Sequence, residues 1–254
     1  AHGRRVSRFG IAYLAEPGGG TIDVSVDGER LRVVDTAAPA RRALFEAVEV
    51  SDGEHRLELL TGRGSVRLFG LTLERDVPGV VLDAIGVVGA RLRTFAEIEP
   101  AHLAEAVAWR RPSLITFQFG ANESGDGFAI PMPEYHAGMA DMIRRFRAAA
   151  PGASCLVIGV MDRARKEGDR LVTVPVIPHL AREQRAVAAE LGCAHYSGFD
   201  LMGGEGGMAR WVRKGLGAGD FTHPTSQGAA VLGEALHDAL MRLYESSSAK
   251  NAPR

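Results

Sequence analysis

Apolar and polar residues alternate in short runs along the first third of the chain. The runs are Ile22–Val26, Val48–Val50, Leu57–Leu59 and Val66–Leu73, and Asp-Gly or glycine-rich turns separate them. A period of two residues between such turns is typical of β-strands whose side chains alternate between a buried and an exposed face. We therefore predict a small β-sandwich, jelly-roll-like, over residues 1–77.

Beyond Pro78 the pattern changes, because apolar runs of strand length begin to alternate with longer segments of helical period. The predicted strands are Val80–Ile85, Leu114–Phe119, Ser154–Val160 and Ala194–Tyr196. The predicted helices between and after them are His102–Arg110, Glu134–Ala149, Pro178–Leu191 and Ser226–Leu243. Alternation of this kind predicts an α/β domain over residues 78–246, with a parallel sheet covered by helices. The polar residues 247–254 are predicted to form a disordered tail.

Composition excludes several classes of protein. The formal charge of the 254 residues is -1, and no stripe of Lys and Arg suggests nucleic-acid binding. No apolar run approaches the roughly 18 residues that suggest a membrane span. The two cysteines, Cys155 and Cys193, lie in apolar, strand-like contexts and are predicted to be buried thiols, with their bonding left open.

Asp220 and His223 are the first candidates for chemistry, because they lie three residues apart just before the last predicted helix. A carboxylate that holds an imidazole can orient it as a general base, as acyl transfer requires. The alternative is an Asp at a helix entry beside an incidental surface His.

Two glycine-containing strand ends supply further candidates. Asn122 follows the strand Leu114–Phe119, and its amide can donate to a developing oxyanion or simply make a tight turn. Gly89 follows the strand Val80–Ile85, and its backbone N–H can serve as a second donor. A dinucleotide site is disfavoured because the G-x-G-x-x-G spacing is absent.

The order of these motifs resembles that of the SGNH (GDSL-like) hydrolases, whose later motifs are a glycine, a Gly-x-Asn and an Asp-x-x-His. The resemblance implies a flavodoxin-like fold, an oxyanion hole at Gly89 and Asn122, and Asp220 and His223 as two members of a catalytic triad, with no metal or cofactor. The stretch Phe199–Trp211 is similar to bacterial members related to peptidoglycan O-acetylesterases, which carry an inserted sandwich resembling a carbohydrate-binding module.

That resemblance implies a serine esterase that removes acetyl groups from carbohydrate, or that acts on another small acyl ester, in an extracytoplasmic compartment. The family's nucleophile lies in a Gly-Asp-Ser turn, and none occurs in this sequence. We expect that turn upstream of Ala1, in the same protein or as a separate chain. We also expect that the missing segment either remains bound or leaves an exposed sheet edge and an apolar groove. Ser124 and Ser197 are disfavoured as substitutes because neither follows a strand-to-helix elbow.

Two other functions stay open at this point. The same site could pass the acetyl group to a sugar hydroxyl, which would make the protein an O-acetyltransferase. The chain could instead be a non-catalytic sugar-binding protein, if the protein has no catalytic serine at all. Asp162 is a further candidate carboxylate, although its position after a strand favours a role in capping a turn.

Overall fold

The structure is a computed structural model that describes residues 5–250, without the side chains of residues 247–250. The described chain divides into two compact units. The first comprises the residues up to Gly86 together with Ala101–Arg110, and the second comprises Val87–Pro100 and the residues from Arg111 onward. The predicted domain boundary between residues 77 and 78 stays a prediction.

The first unit contains two three-stranded antiparallel sheets. One has the order β4-β1-β6, formed by β1 (Val6–Ala15), β4 (Arg42–Gly53) and β6 (Arg67–Glu74). The other has the order β3-β2-β5, formed by β2 (Thr21–Val26), β3 (Glu29–Asp35) and β5 (Leu57–Thr61). Buried residues of both sheets form one apolar cluster, as alternation with a period of two requires. The β-rich character of this region was predicted correctly, whereas its likeness to a carbohydrate-binding module stays a prediction.

The predicted strand Val80–Ile85 is wrong. This segment has no regular secondary structure, and the side chains of Val80 and Leu82 are almost fully exposed. A strand needs a neighbour to take up its backbone N–H and C=O groups, and no strand of the described chain pairs with this segment. Apolar composition predicted a strand here, but pairing depends on residues far away in the sequence.

The second unit contains a parallel sheet with the order β11-β8-β7. Its strands are β7 (Leu114–Gln118), β8 (Ser154–Gly159) and β11 (Ala194–Ser197), so three of the four predicted strands are confirmed. Within the described chain β7 pairs only with β8, which leaves its other edge without a strand partner. A short antiparallel hairpin follows β8 and consists of β9 (Ala164–Glu167) and β10 (Arg170–Thr173).

Helices flank this sheet. They are α1 (Leu92–Ala96), α3 (Met132–Ala149), α4 (Ile177–Glu190), α5 (Gly198–Leu201), α6 (Gly207–Arg213) and α7 (Ser226–Lys250), while α2 (Pro100–Arg110) belongs almost entirely to the first unit. The five apolar residues predicted to share one face of α3 are all buried, namely Tyr135, Met139, Met142, Ile143 and Phe146. Helical period alone therefore identified the buried side of this helix correctly.

A buried glutamine holds the ends of two parallel strands in place. The Gln184 side chain, on α4, accepts a hydrogen bond from the backbone N–H of Val160 at 2.7 Å. Its amide nitrogen donates to the carbonyl of Phe119 and to the hydroxyl of Tyr135, each at 2.8 Å. All three contacts satisfy polar groups that burial would otherwise leave unpaired. The loops that begin after β7 and β8 therefore start from fixed positions.

Cys155 and Cys193 form a disulfide, so the prediction of two buried thiols is wrong. Cys155 lies in β8, and Cys193 immediately precedes β11. Because Ala194 is paired with Leu156, the parallel register places the two cysteines side by side, with 4.9 Å between their Cα atoms. The sequence did not reveal this pairing because the cysteines lie 38 residues apart and meet only through the register of two strands.

The last helix, α7, begins at the predicted Ser226 and continues to Lys250, seven residues beyond the predicted end. Val231 and Leu232 of this helix pack against a cluster that contains Met208 and Trp211. The predicted tail thus overlaps the helix at residues 247–250, and its residues 251–254 lie outside the described part. No helix in the described chain is both long and apolar enough to cross a membrane.

Candidate active site

Asp220 and His223 form the pair that their spacing predicted. Nδ1 of His223 lies 2.6 Å from Oδ2 of Asp220. The other carboxylate oxygen accepts the backbone N–H groups of Thr222 at 2.9 Å and of His223 at 3.0 Å. The turn that permits this geometry has Phe221 at a positive φ of 59°, a conformation that few non-glycine residues adopt. Both side chains are largely exposed, at 74% for His223 and 51% for Asp220.

These hydrogen bonds hold the pKa of Asp220 well below its usual range, with the backbone N–H of His223 as the largest cause, followed by the His223 side chain and the backbone N–H of Thr222. The same hydrogen bonds therefore favour the ionised carboxylate over its protonated form. An ionised Asp220 favours the tautomer in which Nδ1 of His223 carries the proton and donates it to the carboxylate. Nε2 is then an acceptor and can take a proton from a nucleophile.

Arg163 connects this turn to the loop after β7. Its Nε donates to the hydroxyl oxygen of Thr222 at 3.0 Å, and Nη1 donates to the hydroxyl oxygen of Ser124 at 3.1 Å. Thr222 lies between Asp220 and His223 in the sequence, and Ser124 lies two residues past Asn122. One guanidinium thus spans two of the sequence-predicted motifs.

Asn122 is in turn joined to the loop that contains Gly89. Its amide nitrogen donates to the carbonyl of Ala90 at 2.8 Å, which uses one of its two N–H groups. Gly89 is exposed and has a φ of 75°, where a side chain would be strained. The structure therefore brings three separate loops into one connected set of contacts, and each carries at least one sequence-predicted site residue.

Glu123 holds two of these loops together, and sequence reasoning missed it. Only 3% of this residue is exposed. One carboxylate oxygen accepts the backbone N–H of Leu92 at 2.8 Å, and the other accepts that of Gly120 at 2.9 Å. Leu92 is the first residue of α1, where backbone N–H groups have no partner within the helix. The only available signal was a glutamate directly after the Gly-x-Asn motif. Its burial could not be read from the sequence, and a charged residue is rarely buried unless it is paired.

The other candidate residues occupy structural roles. Asp162 is buried and accepts the backbone N–H of Met208 at 2.8 Å, so it anchors the start of α6, and burial raises its pKa. The hydroxyl of Ser124 donates to the carbonyl of Ala121, and that of Ser197 accepts the N–H of Asp200. Neither hydroxyl is hydrogen-bonded to His223 among the described residues. The described part of the chain also contains no group of three or more His, Cys, Asp or Glu arranged to hold a metal ion.

Comparison with known families identifies the family of this chain. Residues 51–231 match the model of the GDSL-like lipase/acylhydrolase family, which is well over half of the chain. The chain belongs to this family. The family is one of lipases and acylhydrolases, which are enzymes that act on esters. The matched region contains Gly89, Asn122, Asp220 and His223.

Solved structures share the fold of this GDSL-like protein. A structure titled "Peptidoglycan O-acetylesterase in action, 5 min" matches 95% of this chain with a TM-score of 0.77 and 21% identity. Only 66% of that chain is matched, so the protein described here spans less than two thirds of its length. The family match and this likeness show the predicted SGNH fold, with a parallel sheet flanked by helices.

Two more distant structures are also similar. A salicylyl-acyltransferase from a tetracycline biosynthetic pathway has a TM-score of 0.41 and 18% identity, over 94% of this chain and 81% of its own. An acetylxylan esterase from Geobacillus stearothermophilus has a TM-score of 0.42 and 17% identity, over 58% of this chain and 66% of its own. No curated protein sequence matches this chain.

Proposed function

We propose that this protein is a serine esterase that removes acetyl groups from carbohydrate, with His223 as the general base of its triad and Asp220 as the carboxylate that orients it. The observation that carries the proposal is the 2.6 Å contact between the two side chains, next to a loop that presents Asn122. Membership of the GDSL-like family supports the ester chemistry. The acetyl group and the carbohydrate are the further step of the proposal, and they follow the resemblance of the motifs.

In the proposed acylation, a serine hydroxyl attacks the acetyl carbonyl while Nε2 of His223 takes the hydroxyl proton. The tetrahedral oxyanion receives hydrogen bonds from the second amide N–H of Asn122 and from the backbone N–H of Gly89. His223 then gives its proton to the departing sugar oxygen as the carbon–oxygen bond of the ester breaks. Asp220 stays ionised throughout and stabilises the imidazolium that forms.

Deacylation repeats the sequence with water as the nucleophile. His223 takes a proton from water as the water oxygen bonds to the acyl carbon, and returns that proton to the serine oxygen as acetic acid leaves, which ionises to acetate in solution. The proposal places this serine in a Gly-Asp-Ser turn outside residues 1–254. The hydrogen bonds that already engage the hydroxyls of Ser124 and Ser197 are consistent with that assignment.

We also propose an extracytoplasmic location. The bond between Cys155 and Cys193 supports it, because disulfides form and persist mainly in oxidising compartments.

Labelling with a fluorophosphonate probe tests the triad in the complete natural protein. We expect one labelled serine, and we expect labelling to be lost in His223→Ala. A matched control is His237→Ala, since His237 is similarly exposed and also neighbours an aspartate, Asp238, at 3.3 Å. That variant should label like the wild type.

Product analysis completes the test. With an acetylated sugar as substrate, release of free acetate supports an esterase, and transfer of acetyl to an added acceptor sugar would show a transferase. Absence of labelling in every intact form, with sugar binding retained, would replace the proposal with a binding protein. Labelling that persists in His223→Ala would remove His223 from the mechanism.

A further inference from the structure

Arg163 has donor capacity that its structural contacts do not use. A guanidinium carries five N–H groups, and only two of those in Arg163 are engaged, by Thr222 and Ser124. Nη2 has no hydrogen-bond partner among the described residues, and it is not one of the buried unpaired atoms, so it reaches solvent. Arg163 is half-buried beside Asp220 and His223, and the side of its guanidinium that carries Nη2 is free to bind a ligand.

The charge of Arg163 is also unpaired within the described chain. Both of its partners are neutral hydroxyls, and no described carboxylate lies within 4.0 Å of its guanidinium. The other arginine nearby, Arg165, differs because it is exposed and forms an ion pair with Glu167. An unpaired cation that is partly withdrawn from water attracts an anion more strongly than a fully solvated one.

A pocket opens next to this guanidinium. It has a volume of about 320 Å³, which falls within the range of small-molecule sites. Its walls combine the two arginines with Ser124 and with an apolar side formed by Phe128 and Val174–Val176, and its lining contains no acidic residue. The pocket therefore offers a cation at one point and a surface for the C–H face of a ring at another.

We propose that Arg163 and this pocket bind a carboxylate on the sugar, so that the preferred substrates are acetyl esters of acidic sugars. Planar guanidinium groups pair with carboxylates through two parallel hydrogen bonds, and the free edge of Arg163 suits this geometry. The position follows from the contacts of Arg163, which reach the residue before His223 and the residue two past Asn122. The identification of this ligand as a substrate rests on the proposed esterase function. The binding test below does not depend on that function.

The test measures binding and needs no turnover. D-Glucuronate and its neutral methyl ester have the same ring and differ in charge, and each is titrated into the protein while amide NMR resonances of Gly125 and Gly127, which line the pocket, are followed. We expect the wild type to bind glucuronate about tenfold more tightly than the methyl ester. The preference should weaken as salt is added.

Variants assign the effect to one side chain. Arg163→Gln should abolish the preference, Arg163→Lys should retain part of it, and the control Arg213→Gln, at an exposed position on α6, should retain all of it. If Arg163→Gln fails to fold, as judged by circular dichroism, two measurements still test the subsite. They are the binding of glucuronate and of its methyl ester to the wild type and to Arg163→Lys.

Equal binding of the two sugars by the wild type overturns the subsite, whatever the activity of the protein. So does a preference that survives in folded Arg163→Gln, or shifts confined to residues away from the pocket. Failure of the labelling experiment on His223, together with a clear preference for glucuronate, would instead refute the esterase and leave the subsite standing.

Discussion

Glu123→Gln is the perturbation that tests most directly how the site is assembled. Glutamine has nearly the same shape as glutamate, but it offers one acceptor oxygen in place of two. One of the two backbone N–H groups, of Leu92 or of Gly120, must then face an amide NH2 group. The substitution removes one buried contact and changes nothing else in the packing.

The expected cost follows from the burial of this contact. A hydrogen bond to a charged acceptor contributes about 1.5–3 kcal/mol, and a buried N–H left without a partner costs about 1–3 kcal/mol. Because these two terms describe overlapping parts of one loss, we expect a decrease of about 3 kcal/mol in the free energy of unfolding. For a protein of this size that corresponds to a fall in melting temperature of roughly 6–12 °C.

Thermal and urea unfolding followed by circular dichroism measure the global effect, and amide hydrogen exchange measures the local one. Protection should fall first at Leu92 and Gly120. The control is Glu234→Gln, on the exposed side of α7, which should change stability by less than about 0.5 kcal/mol. A melting temperature within about 1 °C of wild type, with Leu92 still protected, would refute the assignment of Glu123 as the link between the two loops.

Four further changes have defined outcomes. Gln184→Leu leaves three polar groups without partners and should lower the free energy of unfolding by about 3 kcal/mol or more, measured by urea unfolding. Replacing Cys155 and Cys193 with alanine opens a loop of 38 residues and should cost about 4 kcal/mol, and dithiothreitol should destabilise the wild type but not this variant. Gly120→Ala should unfold at lower temperature, because the residue has a φ of 106° and its Cβ would lie 2.9 Å from Nε2 of Gln184. Since the folded-state pKa of Asp220 is lowered, the stability that it contributes is complete above the unfolded pKa of about 3.9 and is lost as the pH falls through the folded value. The melting temperatures of wild type and Asp220→Asn should therefore differ at pH 7 and converge in strong acid, and a constant difference would contradict the shift.

The sequence by itself determined the features that depend on near neighbours. Alternation with a period of two identified the β-rich first region, and helical period identified the buried face of α3. The Asp220–His223 contact could also be predicted from the sequence, because residues three apart on a turn lie within reach of each other. The order of the motifs then led to the family, since order along the chain is itself a property of the sequence.

Only the tertiary structure decided the features that depend on distant residues. The disulfide required the register of β8 against β11, and the failure of Val80–Ile85 to form a strand required knowledge of its neighbours. Glu123 and Arg163 carry no periodic signal, and the most distant partner of each lies 31 residues away for Glu123 and 59 for Arg163. The physical reason is that a buried polar side chain requires a hydrogen-bond partner. The sequence shows which side chains are polar, but only the fold determines which group becomes the partner.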